Sequence, residues 1–432
     1  MQTGQTKYGA GMTAAACLWL GLFPLLNFGS YSTITQDKWL CMVILSGVTL
    51  LCFLFDAFRG VLSRPRPLSL AAGFLLLFWM VLSCLLGPYG PEAWWRGAGR
   101  MEGLSTQLCY LLLFFLFACS HVRRLPVLFS AGAGLLAFLA VILLQRAGGN
   151  PFGLYPGGYS LSAAPDFQGT IGNVDMDTGY LLVLSGLFLS PLQKILLQLP
   201  GALREGRRSA CRLLLRALPL LLLLSACFFL MSTFSVRFGL LVFSVLLVLF
   251  LVSFLPKKAR LPVLLILAAA VLFLVWLLPC QSSSLHELHE VLRGRPDPTF
   301  GSHRLGLWDY CLKMLRQEGR LLFGTGADTF ALRFRSFLSS WFEAHPDAWR
   351  ISEYFDSPHC EYLALVIHFG IPGLLFFLLL LFRVLSSDSP WRGGVLAYAL
   401  QAALSFSVCL VAPLFWVLLG MSHGDGSRPL KK

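Results

Sequence analysis

Three polar residues stand out against a mostly apolar chain: Arg237 in STFSVRF, Arg304 in GSHRLGLW and His359 in DSPHCEYL. Each abuts a hydrophobic run, where ionisable side chains are rare and tend to be functional. Arginine offers a planar fork of donors that grips phosphate oxygens bidentately and stays charged at any working pH. Histidine titrates near neutrality and can take a proton from a hydroxyl. Two arginines and a histidine on one side of a membrane therefore suit displacement of a diphosphate leaving group by an acceptor hydroxyl. The arginines would stabilise the charge that develops, and the histidine would act as base. Taken singly, each has a plainer reading. Arg237 can snorkel to the membrane interface, Arg304 can be a solvated helix end, and His359 can be a satisfied interface residue. An arginine in a helix's first turn opposes the helix dipole, so something else is expected to hold Arg304 there. His368, nine residues after His359, reads as a packing or hydrogen-bonding histidine.

Other chemistries lack their residues. There is no Walker loop, no GxSxG and no GxGxxG after a strand, and the GTG at 324–326 is too short for a nucleotide loop. His286 and His289 are spaced i, i+3 without the HExxH order and read as a solvated helix face, so neither a metal nor a cofactor is expected. The 12 cysteines lie mostly inside apolar runs with no CxxC pair. Cys280, Cys311 and Cys360 fall in or beside the largest loop and read as small apolar filler.

The elements that must position these residues follow from composition. The chain has 432 residues, is 56 % hydrophobic and only 13 % charged, and its mean hydropathy is +0.72. Soluble chains carry roughly 25 % charged residues, so an ordinary cytoplasmic enzyme, a disordered protein and a disulfide scaffold are excluded. Runs long enough to cross a hydrocarbon core as helices lie at about 12–29, 39–58, 68–87, 104–120, 125–145, 178–194, 213–231, 238–255, 261–279 and 359–382. The stretch 393–421 is too long for one span. Pro413, Gln401, Ser405 and Ser407 divide it into two short helices, 393–408 and 410–421. About 12 spans result, and the fold class is an all-α polytopic membrane protein, because helices satisfy their own backbone in lipid. The whole chain, 1–432, reads as a single membrane domain with one helical loop insertion at 280–358. The first run, lacking a polar mature domain behind it, reads as a retained span.

Net charge is +13, which first suggests a polyanion partner. Sorted by alternate loops it suggests something else. One set, including 59–67, 121–124, 195–212, 256–260, 383–392 and the tail with Lys431 and Lys432, carries 20 Lys+Arg and 4 Asp+Glu. The other carries 14 and 17, and nine of those 14 lie in the 280–358 loop, too long to obey the positive-inside rule. The basic set is then cytoplasmic, with both termini, and the large loop lies outside. No nucleic-acid partner is expected; the surplus faces anionic membrane lipid.

The outward segments hold the unusual sequence. Residues 88–103 pair Trp94 and Trp95 with Arg96 and Arg100 as an interfacial belt would. Residues 303–318 read as an amphipathic helix through Leu305, Trp308, Leu312 and Leu315. GTGADTF at 324–330 reads as a helix break and a new N-cap at Asp328 or Thr329. Asp56, near the inner end of its span, reads as interfacial.

Four segments in order, GTIGNVDMDTGYL, STFSVRFGLLVF, GSHRLGLWDYCLKMLRQEGRLLFGTGADTFALRF and SPHCEYLALVIHFGIPGL, resemble the O-antigen ligase and Wzy-type polysaccharide polymerase superfamily. The resemblance covers about 170–421. It implies a GT-C-like architecture and metal-independent, inverting transfer of an undecaprenyl-diphosphate-linked oligosaccharide or polysaccharide to a glycan, lipid or protein acceptor. The setting it implies is the bacterial cytoplasmic membrane, alongside partners in envelope biosynthesis. Carried over by motif, the two functional arginines fall on Arg237 and Arg304, the R-x-x-x-W piece is completed by Trp308, and the histidine falls on His359. Gly172 and Asn173 match the G-N pair that shapes the donor pocket. The family's Asn after the histidine is Cys360 here, Phe238 follows the turn arginine, and Val174 follows Asn173. Two other readings compete: a flippase for lipid-linked glycans, disfavoured by nearly charge-free spans, and a catalytically inactive assembly partner.

Overall fold

A computed structural model describes residues 8–278, 283–351, 355–424 and 428–429. Cys280, Lys431 and Lys432 lie outside them. The chain is mostly helical. Helix α1 (Ala10–Cys17) runs on through a π turn (Leu18–Leu22) and a 3-10 turn (Phe23–Leu25), followed by α2 (Ile34–Phe58), α3 (Pro67–Leu86), the single turn α4 (Pro91–Trp94), α5 (Leu104–Ala118) and α6 (Arg124–Arg146). Then come α7 (Val174–Glu205), α8 (Arg207–Phe234), α9 (Arg237–Val252) and α10 (Lys257–Leu277). The large loop folds as α11 (Ser283–Leu292), α12 (Arg304–Glu318) and α13 (Phe330–Ala344), and α14 (Glu361–Leu385), α15 (Arg392–Gln401) and α16 (Ala412–Gly424) complete the bundle. Two antiparallel pairs of two-residue strands are the described sheet content: β1 (Ser63–Arg64) with β4 (Arg428–Pro429), and β2 (Phe167–Gln168) with β3 (Gly172–Asn173).

Among the described residues, seven helices are long and apolar enough to cross a membrane: α2, α3, α6, α7, α8, α10 and α14. Their apolar composition leaves large side chains facing outward all round, as lipid allows. On α10 only Val275 is buried. Elsewhere the helices share one apolar core reaching from Met12 and Trp19 through Phe114, Tyr180 and Leu230 to Trp416.

Three local readings need correction. The stretch 195–212, expected as a loop, is helix up to Glu205 and again from Arg207, broken only at Gly206, whose φ of 122° favours glycine. The stretch 393–421 does hold two short helices, α15 and α16, but they part at 402–411 and not at Pro413, which sits in the first turn of α16, where the missing N–H costs nothing. Asp56 is buried, not interfacial, and accepts hydrogen bonds from Gly11 N (3.1 Å) and Met12 N (2.8 Å), capping α1 from a neighbouring helix.

The run 359–382 is interrupted. Gly370 has φ 70°, ψ −178°, with Pro372 just beyond. The amide and carbonyl groups freed by the break bond to the segment after α12. Thr325 N donates to Ile367 O, Gly326 N to His368 O, and Ile371 N to Leu321 O. Trp79 on α3 adds an indole N–H to Phe369 O and stacks on Phe323. The loop is thereby stitched to the bundle. An added Cβ at Gly370 would run into the Leu322 carbonyl. Gly370→Ala is therefore expected to lower the unfolding temperature in detergent, the left-handed φ alone costing about 1–3 kcal/mol. Gly47→Ala on α2 meets open space and should be neutral or stabilising by about 0.5–1 kcal/mol. Equal unfolding temperatures for the two variants would contradict this account.

Candidate active site

The large loop has its own small core. Leu307, Tyr310, Cys311 and Met314 on α12 pack against Phe330, Phe334 and Phe337 on α13, and Ile367 of α14 joins them. The buried stripe of α12 is thus 307/310/311/314/315, which includes the expected Leu315, with the expected Trp308 packed against it. Leu312 is instead exposed, because Tyr, Cys and Met fill buried positions that a leucine count overlooks. The Tyr310 hydroxyl also donates to the Trp349 carbonyl, closing the loop on itself.

This core places Arg304 and His359 together. Trp308, one turn after Arg304, donates its indole N–H to Pro358 O at 2.9 Å, holding α12 against the residue before His359. Arg304 opens α12 after His303, whose φ is 65°. One guanidinium nitrogen bonds Gly301 O at 2.9 Å, while its buried Nε has no hydrogen-bond partner among the described residues. Asp175, in the first turn of α7, acts on Arg304 electrostatically and answers the dipole objection to an arginine at that helix start. His359 has φ 48°, its N–H bonds Ser357 Oγ, and its ring stands edge-on to Phe355 and Phe406 at 5.6 and 5.0 Å. Burial, with the charges of Arg304 and Arg100 beside it, holds the His359 imidazole down at about 4, against the pull of Asp356.

Arg237 stands further off. It opens α9 after a two-residue turn, exposed, with one guanidinium nitrogen 3.2 Å from Ser284 Oγ on α11. Glu287, one turn along α11, accepts from Gly301 N at 3.0 Å. Arg237 and the turn before α12 therefore both contact the same turn of α11. His286 is exposed, as expected of a solvated helix face, but its neighbour His289 is not. His289 is buried, its Nδ1 2.6 Å from Val275 O at the end of α10, because α11 folds back onto that helix instead of facing solvent.

Gly172 and Asn173 form strand β3 and the entry to α7. Asn173 Oδ1 caps the helix through Asp175 N at 2.9 Å. Gly172 has φ 108° and sits so close to Ile34 that a Cβ would collide. The pair aims the first turn of α7, and Asp175 on it, at Arg304.

Arg100, expected only as part of the interfacial belt, joins the site. Its Nε bonds Asp356 Oδ2 at 2.8 Å, its guanidinium lies 3.9 Å from the Phe406 ring centre, and through Phe406 it adjoins His359. Its backbone is fixed by Asp328, whose Oδ2 accepts from Gly99 N, Arg100 N and Glu102 N at 3.1, 2.8 and 3.1 Å. Asp328 is thus not the N-cap of α13; Thr329 takes that place without a side-chain bond. Burial pushes the Asp328 carboxyl up to about 6 against those three amides. The tryptophan belt is also more fixed than expected, with Trp94 buried and Arg96 over the Trp39 ring at 4.9 Å. Behind Arg100 a cleft of about 610 Å³, its open mouth included, descends past Glu102, Glu361 and His368 to Trp416. Burial pushes Glu102 up to about 8, although Tyr110 OH donates to it at 2.7 Å. The only hint of these residues in the sequence was polar side chains gathered in two short segments, 96–102 and 356–361.

The structure thus has seven helices of membrane-spanning length among the described residues and a long loop that brings Arg304 to His359 at one end of the bundle. Residues 220–378 match the family model described as O-antigen ligase. Arg237, Arg304, Trp308 and His359 fall within the matched residues; Arg100, Gly172 and Asn173 lie before them. No curated protein matches the chain.

Proposed function

We propose that the protein transfers a polyprenyl-diphosphate-linked glycan to an acceptor hydroxyl at the outer face of the bacterial cytoplasmic membrane, as a ligase or polymerase. The observation that supports this most directly is the meeting of Arg304 and His359 through the Trp308–Pro358 hydrogen bond. In this reading Arg304, with Arg237 on the other side of α11 and Arg100 beside the histidine, holds the diphosphate. His359 takes the acceptor's proton, the acceptor oxygen bonds to the anomeric carbon, and the bond to the diphosphate breaks with its electron pair leaving on phosphate. The anomeric centre inverts and no metal is required. Gly172 and Asn173 shape the donor pocket through the α7 entry. A long glycan acceptor, or a lipid or protein one, approaches from outside the membrane.

Burial, together with the two neighbouring cations, makes His359 a weak base before substrate arrives. A bound diphosphate neutralises them and strengthens the base where it is needed. For the free enzyme, a base works only when unprotonated, so kcat/KM should fall as pH drops through about 4. At pH ~5.5 most activity is then retained, whereas an ordinary histidine near 6.5 would keep only about a tenth. Arg100→Gln should move this acid limb upward. A limb near 6.5 in the parent protein would count against the arrangement.

The test of function is cellular. Arg304→Ala and Arg237→Ala, at parental protein levels, are expected to cut transferred glycan roughly a hundredfold and to leave lipid-linked glycan on the outer leaflet. Accumulation on the inner leaflet would support a flippase instead. Unchanged product in both variants would overturn the proposal.

A further inference from the structure

At the end of the bundle opposite the loop, a cavity of about 900 Å³, its open mouth included, lies where α3, α14 and α16 converge. Arg66, Arg383, Ser386, Ser389 and His423 line it. Nothing in glycan transfer uses it, and the charge bias puts it on the cytoplasmic side.

Several observations give the cavity one chemistry. His423 is only 4 % exposed, and Ser69 Oγ engages its Nδ1 at 2.8 Å. The Oγ of the equally buried Ser422 and the Nε of Arg383 are buried without a hydrogen-bond partner among the described residues. Unmet buried polar atoms of this kind each cost about 1–3 kcal/mol and call for a partner. Arg66 and Arg383 both act electrostatically on His423, so the two guanidinia flank the same space. Arg66 also directly precedes Pro67, at the N-terminus of the 20-residue helix α3. A cation there opposes the helix dipole, whereas an anion held between it and the helix satisfies both. The acid in the lining, Asp388, is exposed and forms no ion pair with either arginine among the described residues. The connecting loop is preformed: Ser387 Oγ donates to Val384 O, and Arg392 bonds Ser387 O at 2.7 Å. Leu68 and Phe382, each close in sequence to one of the arginines, are exposed large apolar side chains.

We infer that this cavity binds a phosphate group, supplied by the headgroup of an anionic phospholipid of the cytoplasmic leaflet. Basic pockets between membrane helices on that side are suited to such headgroups. The exposed Leu68 and Phe382 continue the site toward acyl chains, which a free phosphate compound would not need. The site is separate from the proposed transfer centre and stands or falls without it.

Native mass spectrometry of the full chain in detergent decides the matter, with dioleoylphosphatidylglycerol against dioleoylphosphatidylcholine. The parent protein is expected to retain phosphatidylglycerol preferentially, and Arg66→Gln with Arg383→Gln to weaken that retention roughly tenfold. Lys257→Gln with Lys258→Gln, basic residues of the same end outside the cavity, should leave it unchanged. Arg66→Gln alone, at an exposed position, supplies the answer if the double variant does not fold, and should lose part of the preference. Inorganic phosphate raising the unfolding temperature of the parent but not the variant, with no lipid preference, would keep the phosphate site and overturn the lipid as its source. No lipid preference and no phosphate effect would overturn the site, as would full retention in a folded double variant.

Discussion

His359→Asn is expected to lower glycan transfer by about 10²–10⁴-fold, the usual worth of a positioned general base, with the protein still folded. Asparagine is the informative replacement because His359 has φ 48°, a backbone conformation that asparagine tolerates better than most residues. The variant keeps the turn into α14 and the edge-on neighbours Phe355 and Phe406, and loses only the titrating nitrogen. Donor binding should survive, since the arginines are untouched, so lipid-linked glycan should build up while product falls. Glycan product measured against protein level and unfolding temperature checks this. Parental transfer by a folded His359→Asn protein would remove histidine from the mechanism and turn attention to Asp175 or Asp356 as the base.

Asp328→Ala should have the largest structural effect at the site. One carboxylate oxygen accepts three backbone N–H groups from residues 99–102, and hydrogen bonds to a charged group contribute about 1.5–3 kcal/mol each. Their removal leaves three donors without an acceptor and frees Arg100 from its place beside His359. A loss of about 3 kcal/mol or more is expected, read as a lower unfolding temperature and faster proteolysis at 88–103. Transfer should fall with it even though Asp328 touches no reacting atom. Asp328→Asn keeps an acceptor oxygen and should lose less of both. If Asp328→Ala left proteolysis at this segment unchanged, the segment would owe its position to something else.

The membrane class was legible because hydropathy acts locally: a long run of apolar residues must leave water wherever it occurs, and a helix satisfies its own backbone. The same holds for the residue types at Arg237, Arg304 and His359, whose charge is costly beside an apolar run whatever surrounds them. Local pattern failed where a neighbour from far along the chain overrode it. Asp56 looked interfacial until it capped α1, and of the two cap candidates for α13 Asp328 captured residues 99–102 instead, leaving the place to Thr329.

Gly370 shows the same limit. The apolar run 359–382 has no sequence gap, but the helix breaks there because the segment 321–326 supplies partners for the freed backbone groups. Arg100 lies 256 residues from Asp356 and 228 from Asp328 in its amide bond, and nothing in a short window links such positions. From its own residues the chain determined that it is helical, membrane-embedded, biased in charge and provided with a few ionisable groups at apolar edges. Only the tertiary structure decided which of those groups meet, because meeting depends on loop closures and backbone hydrogen bonds between segments that share no local pattern.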